Sequence, residues 1–321
     1  MYHDINLVIR VLKEFYINGC TQAEIADKEH ISKSTVSRIL KKAKDDGLVT
    51  FDLHLPLPSL YDLEQKFKEL FKLQKICITP TYMTDIESRY LDVIKILAVD
   101  LNKIIQDGDT IGLCWGRAMT LLSLNLVPCN PIKHNLRIVQ ISGSLAKHLR
   151  SFKSYSIIEN FSKNYLCDAH ILPVPTIVDS IELKEALSND TQVKEVLDIG
   201  ESARIAIFGI GDLSPDSTVF KTGTLSPSYY DDLIRKGALS DVITHFLDIE
   251  GNIVDHELDN RTICLPLESL IRKEHRIAFT VGEHKAKAII SALNSGAVSS
   301  FYTDESTARQ VIEEHKKIFG P

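Results

Sequence analysis

Between Lys33 and Lys44 the chain carries five basic side chains and no acidic one, with Ser34, Thr35 and Ser37 set among the first of them. Cations interleaved with short hydroxyls are the chemistry of a DNA contact. Residues at the start of such a helix meet base edges, and later cations meet phosphates. Lys33, Ser34, Thr35, Ser37, Arg38 and Lys41 are therefore the candidate DNA-binding residues, joined by Thr21 and Gln22 at the start of the helix before them. A second set sits where apolar runs end: Gly116-Arg117, Ser142-Gly143-Ser144, Gly209-Ile210-Gly211-Asp212, Gly237 to Asp241, and Val281 to Lys285. Glycine there lets backbone amides approach an anion, and a neighbouring cation holds it. Each loop taken singly also reads as a plain turn, and Asp241 as a helix cap. Lys285 also reads as a solvated surface lysine, but a cation that opens a helix opposes the macrodipole unless an anion lies between them.

The first set needs two short helices at a fixed spacing. Thr21 followed three residues later by Glu24 is a capping box, and Ile25 and Ala26 turn inward behind it. His30-Ile31-Ser32 breaks the pattern, and Ser32 caps a second helix through Lys44 whose inner side is Val36, Ile39, Leu40 and Ala43. Residues 4 to 17 predict a supporting helix through Ile5, Val8, Ile9, Leu12, Phe15 and Tyr16. Leu48 to Leu55 alternates as a short strand or wing, and Pro56 and Pro58 then break the chain. Between Ser59 and Leu73, one apolar stripe of Leu60, Leu63, Phe67, Leu70 and Phe71 must bury itself against the larger domain or against a second copy. Pairing is the expectation, since proteins of this kind read two half-sites as dimers.

From Gln74 the texture changes to apolar strands alternating with amphipathic helices, which predicts a mainly parallel α/β domain. Strands are expected at Lys75 to Thr79, Thr110 to Cys114, Arg137 to Ile141, Ala169 to Pro173, Ala203 to Phe208, Ile253 to Leu258, Arg276 to Val281 and Val298 to Thr303. Helices fit between them, notably Asp85 to Gln106, Arg117 to Leu126, Tyr155 to Tyr165, Ser226 to Lys236, Lys285 to Ser295 and Glu305 to Lys317. In such a sheet, ligands bind beyond the carboxyl ends of the strands. The second set of residues belongs there.

With 321 residues, two domains are expected, and a net charge of −6 would oppose DNA binding if it were evenly spread. It is not evenly spread, because residues 1 to 50 hold eight Lys/Arg against seven Asp/Glu and the positive charge is gathered on one helix. Six scattered cysteines without a Cys-x-x-Cys pair read as free thiols in a reducing compartment. No cysteine and histidine cluster has zinc spacing, so neither a metal nor a cofactor is expected. The start of the chain lacks the pattern of a signal peptide, and no apolar run reaches about eighteen residues, so a cytoplasmic location is expected.

The segments TQ-x-x-IA and S-x-x-TVSR, followed by GLCWGRAM, FGIGDL, FKTGTLSPSYYDDLIRKGALSD, FLDIEGNIV and VGEHKAKAIISALNSGAVSSFYTD, resemble the sugar-binding regulators of the sorbitol-operon type. The resemblance implies a winged helix-turn-helix over residues 1–55, a linker and oligomerisation helix over 56–73, and a sugar-phosphate effector domain over 74–321. That domain would have a fold like those of phosphosugar isomerases and deaminases. A cytoplasmic homo-oligomer, dimer or tetramer, is implied, with operator DNA and a phosphorylated sugar as its partners. By the same resemblance, Gly116, Arg117, Ala118 and Met119 match a phosphate-binding loop, Gly143 the loop after the next strand, Asp241 the residue that meets sugar hydroxyls, and Lys285 the phosphate-facing lysine. Ala118, Ser144 and Ser240 depart from the family pattern, so the choice of sugar does not transfer. The competing reading is an enzyme of the isomerase or deaminase type with an accessory DNA-binding segment. It needs a positioned acid/base pair, and His284 is the one histidine in a candidate loop, so no catalytic residue is assigned.

Overall fold

Three capped helices make up the N-terminal part of the computed structural model, which describes residues 4–49, 60–144 and 154–320. Asp4 accepts the amides of Asn6 and Leu7 to start α1 (Ile5–Tyr16). The Thr21/Glu24 capping box starts α2 (Gln22–Lys28), and Ser32 accepts the Thr35 amide to start α3 (Lys33–Asp45). Between α2 and α3 the chain turns through His30 in the left-handed region at φ 53°. Val11, Ile25, Ala26, Val36 and Leu40 form the core of this unit. Val11, fully buried, takes the central place on α1, while Ile5 and Ile9 of the expected stripe stay exposed. The buried arc runs through Val8 and Val11, one side of the stripe that the spacing predicts. Arg10 pairs with Glu29, and Glu14 with Lys28, tying α1 to α2. The expected wing falls almost wholly on residues 50–59, outside the described residues.

The second compact unit begins at Pro58. It opens with α4 (Tyr61–Phe71), β1 (Lys75–Thr79), α5 (Ile86–Ile104), β2 (Thr110–Leu113), α6 (Arg117–Leu124) and β3 (Arg137–Gln140). Then come α7 (Ser154–Tyr165), β4 (Asp168–His170), α8 (Ile181–Ser188), α9 (Thr191–Ser202), β5 (Ile205–Gly209), β6 (Gly211–Asp212), α10 (Thr218–Lys221) and α11 (Pro227–Arg235). The remainder is β7 (Ser240–Val242), β8 (His245–Leu247), α12 (His256–Asn260), α13 (Leu267–Ile271), β9 (His275–Phe279), a 3-10 turn (Glu283–Lys285), α14 (Ala286–Asn294), β10 (Ser300–Asp304) and α15 (Glu305–Phe319).

Seven of these strands pair in parallel in the order β1-β10-β9-β5-β2-β3-β4. Strand alternation feeds two cores. Ile205 and Ile207 of β5 join α5, α6 and α7 on one face, while Ala206 and Phe208 join α4, α14 and α15 on the other. Both faces are covered, as a parallel sheet requires. The order reverses between β5 and β2, which is where such a sheet leaves a crevice at its carboxyl edge. A separate antiparallel sheet, β6-β7-β8, stands beside that edge. It was not legible in the sequence, and neither were α8 and α9.

Two expectations meet a different outcome. Ile253 makes only a single bridge to Leu247, and the expected strand through Leu258 gives way to α12, because the Asp255 carboxylate accepts the Leu258 amide and starts a helix. The stripe on α4 is buried within its own unit: Phe67 is fully buried and Phe71 nearly so, with the Phe67 ring 5.8 Å from that of Phe301. Glu64 on the same helix accepts the amide of Ile78 at 2.9 Å, satisfying a donor on the edge strand β1.

Candidate functional site

A cavity of about 370 Å³ opens at the sheet reversal. It is lined from β2 by Cys114, Trp115 and the first turn of α6 (Gly116 to Met119), from β5 by Gly209 to Asp212, and from β7 and its turn by Asp241, Ile243 and Thr244. His284 and Lys285 close it from the loop after β9. Gly116 is the N-cap of α6 and provides no side-chain cap, so the amides of the first turn have no side-chain partner there. Its φ of 133° lies where an L side chain is strained. The Lys285 ammonium donates to the Ile210 carbonyl at 3.2 Å, which stations it at the carboxyl end of β5.

Asp241 is held in β7, opposite Gly211 of β6, where an added Cβ on Gly211 would lie 3.0 Å from that of Asp241. The helix-cap reading of Asp241 is thus replaced by a strand position. Its carboxylate accepts the Thr244 amide at 2.7 Å. Burial pushes the Asp241 carboxyl up to about 6, against the opposing pull of the Thr244 amide, His245 and Lys285, and Asp212 adds to the rise. Close behind, buried His245 has Nδ1 2.5 Å from Asp259 and Nε2 3.0 Å from the Leu265 carbonyl. Burial alone would lower the imidazole, but Cys264 and Asp259 hold it well above its ordinary value. Oxygen acceptors at both nitrogens favour the protonated ring.

The raised Asp241 carboxyl has a consequence for stability. Its folded value of about 6 exceeds the reference 3.8, so the folded state binds the extra proton and stability falls as pH rises from about 4 to about 6. Above that window the ionised group costs on the order of 2 to 3 kcal/mol. Asp241→Asn is therefore expected to melt higher than wild type at pH 7.5 and to lose the advantage at pH 4. A melting-temperature difference independent of pH would contradict this.

Of the expected site residues, Gly116, Arg117, Ala118, Met119, Asp241 and Lys285 come together around this cavity, and Gly143 does not line it. Gly143 sits one layer behind: its carbonyl accepts the Trp115 indole N–H at 2.9 Å, and an added Cβ would lie 2.7 Å from the backbone of Pro175 and Thr176. Arg117 projects outward and pairs with Glu87 at 3.2 Å. Met119 is fully buried.

Residue-by-residue reading missed Arg89. It is nearly buried and bonds Asp304 and Glu283, while Thr307 accepts the Gly282 amide at 2.8 Å, so α5 and α15 together fix the loop that carries Lys285. A lone cation on the apolar stripe of a helix was the available signal. Asp212 lies in a loop already expected at the site, whereas Trp115 and Thr244 were missed for want of any periodic pattern.

In the N-terminal unit Lys33, Ser34, Ser37, Arg38 and Lys41 are exposed on α3. Thr35 is half-buried, and its hydroxyl and that of Ser34 each lie 2.8 Å from Ser32 Oγ. Thr21 is engaged in its capping box, and Gln22 follows at the first helical position.

Residues 56–313 match the family described as "Putative sugar-binding domain", and residues 6–52 match the MarR family. The deoxyribonucleoside regulator of Bacillus subtilis is 26% identical over 96% of this chain and 97% of its own length. The sorbitol operon regulator of Klebsiella pneumoniae is 24% identical over 97% of this chain and 98% of its own. The transcriptional regulator LsrR of Escherichia coli O157:H7 is 28% identical over 95% and 94%. The crystal structure of the full-length Klebsiella sorbitol operon regulator SorC superposes with a TM-score of 0.77 at 23% identity, covering 97% of this chain and 100% of that one. A DNA-binding helix pair joined to a sugar-binding α/β unit is thus shared along nearly the whole chain, which belongs to the sugar-binding transcription regulator family of the sorbitol-operon (SorC) type.

Proposed function

We propose that the chain is a cytoplasmic, homo-oligomeric regulator of a carbohydrate operon whose hold on operator DNA is set by a phosphorylated sugar in the cavity. One observation carries the reading: the uncapped first turn of α6, the Lys285 ammonium and the Asp241 carboxylate border a single space. Amides of Gly116 to Met119 and Lys285 suit a phosphate, since a helix N-terminus and a cation favour the same anion. Asp241 suits hydroxyl donors. Relatives named for sorbitol and for deoxyribonucleosides support a carbohydrate signal, and their being regulators favours sensing over turnover.

A thermal-shift screen of pentose and hexose phosphates beside their unphosphorylated parents tests this. A phosphate at a hundred times its Kd stabilises by about 2.7 kcal/mol, and its parent should do far less. Isomerisation or deamination of any of these sugars would instead support the enzyme reading.

On the DNA side, Arg38→Ala is expected to lose about 1 to 3 kcal/mol of discrimination at one operator position if Arg38 reads a guanine edge. Lys41→Ala should weaken binding to all sequences and reduce the salt slope by about 1. Wild-type affinity and salt dependence in a folded Arg38→Ala/Lys41→Ala protein would remove α3 from the groove.

A further inference from the structure

The hairpin of β7 and β8 turns through only two residues, Ile243 and Thr244, since Val242 pairs with His245. Both are left-handed, at φ 46° and 81°. That turn ordinarily takes Asn-Gly, and β-branched residues are strained in it. Something outside the turn must hold it. Three fully buried hydroxyls do so: Ser142 Oγ lies 3.0 Å from Thr176 Oγ1 and 3.1 Å from Thr244 Oγ1, and the two threonines are 3.2 Å apart. The anchors are themselves fixed, because the Gly143 amide donates to the Ile263 carbonyl and the Thr176 amide to that of Ser144. What the turn holds in place is the Thr244 amide, which Asp241 accepts.

We infer that Thr244, clamped by Ser142 and Thr176, is the positioning residue of the sugar site, holding a strained turn so that its amide orients the Asp241 carboxylate. Resting on the sugar-site reading, this explains why Ser142 and Thr176, which do not line the cavity, belong to its machinery. In this chain the hydroxyl clamp stands in for the intrinsic turn preference that Ile243 and Thr244 lack, and so sets the carboxylate.

Trp115, the chain's one tryptophan, lines the same cavity and serves as the probe. The groups around Asp241 that bear on its titration are Asp212 on β6, His245 on β8, Lys285 before α14, Cys114 after β2 and Tyr230 on α11. In the full-length protein, tryptophan emission followed against pH should show a transition near 6 that Asp241→Asn abolishes. Thr244→Val keeps the shape and removes the hydroxyl, so the transition should move to higher pH as the amide drifts from the carboxylate. Ile243→Asn/Thr244→Gly supplies a turn that is left-handed unaided, and should restore the wild-type transition without any hydroxyl at 244. If Thr244→Val does not fold, Ser142→Ala, which removes two of the three contacts, should shift the transition in the same direction.

Operator release is then titrated with ribose 5-phosphate, glucose 6-phosphate and fructose 6-phosphate, each separately. The concentration for half-release should rise roughly tenfold in Thr244→Val, the effect of a weakened hydrogen bond to a charged group, and return in the double variant. A transition unmoved by Thr244→Val or Ser142→Ala, or not restored by the double variant, overturns the clamp. Failure of all three sugar phosphates to release the wild-type protein counts against the sugar-phosphate reading, while the emission arm still decides the clamp.

Discussion

A chain that starts at Gln74 is expected to lose its cooperative fold, whereas one that starts at Pro58 keeps it. The difference is α4. Phe67 is fully buried and Phe71 nearly so. Replacing one such ring by alanine costs about 3 to 5 kcal/mol, and removing the helix takes away both. It also uncovers Phe301 and frees the Ile78 amide that Glu64 satisfies. Against a total stability of about 5 to 15 kcal/mol, that loss dominates. The family match beginning at residue 56 agrees with the helix being part of the domain. Urea melts of the 58–321 and 74–321 chains decide the matter, with Phe67→Ala as the graded case. Equal midpoints would contradict the packing of α4.

That helix shows where sequence reading stopped. The 3.6-residue spacing of Leu60, Leu63, Phe67 and Phe71 gives a stripe, but spacing carries no information about which surface the stripe meets. Dimer pairing and self-burial look alike until the partner is seen. Capping chemistry, by contrast, is local and was legible: Thr21, Glu24 and Ser32 start the helices at the residues expected. The parallel sheet was legible too, because strands buried on both faces read as apolar runs. The β6-β7-β8 sheet escaped because two- and three-residue strands have no period to detect, and so Asp241 read as a cap. Between Ile253 and Leu258 the alternation was present, but the Asp255 cap outweighed it. Of the cavity, the loops and their place beyond the carboxyl ends of the strands were legible, whereas the small β6-β7-β8 sheet that presents Asp241 to it was not.

Lys285→Ala should disable sensing while leaving operator affinity intact. The ammonium donates to the Ile210 carbonyl and forms no direct ion pair among the described residues, so the fold should tolerate its loss, although the Asp241 carboxyl then loses one of the charges that hold it down. What goes is a charged hydrogen bond to the phosphate, worth roughly 1.5 to 3 kcal/mol, or about 10- to 150-fold in effector concentration. Asp241→Ala differs in kind: acting on hydroxyls, it should blur the choice among sugars as well as weaken binding. Lys285→Arg keeps the charge on a longer, forked head and should recover only part of the response.

The most direct measurement is operator binding by the full-length protein, titrated with the sugar phosphate that gives the largest thermal shift and, in parallel, with its unphosphorylated parent. The expected result is that the phosphate changes operator affinity in wild type, that the parent does so only at far higher concentration, and that Lys285→Ala needs about 10- to 150-fold more of the phosphate at unchanged affinity for DNA alone. A parent sugar as effective as its phosphate, or a Lys285→Ala protein that responds at the wild-type concentration, would contradict it.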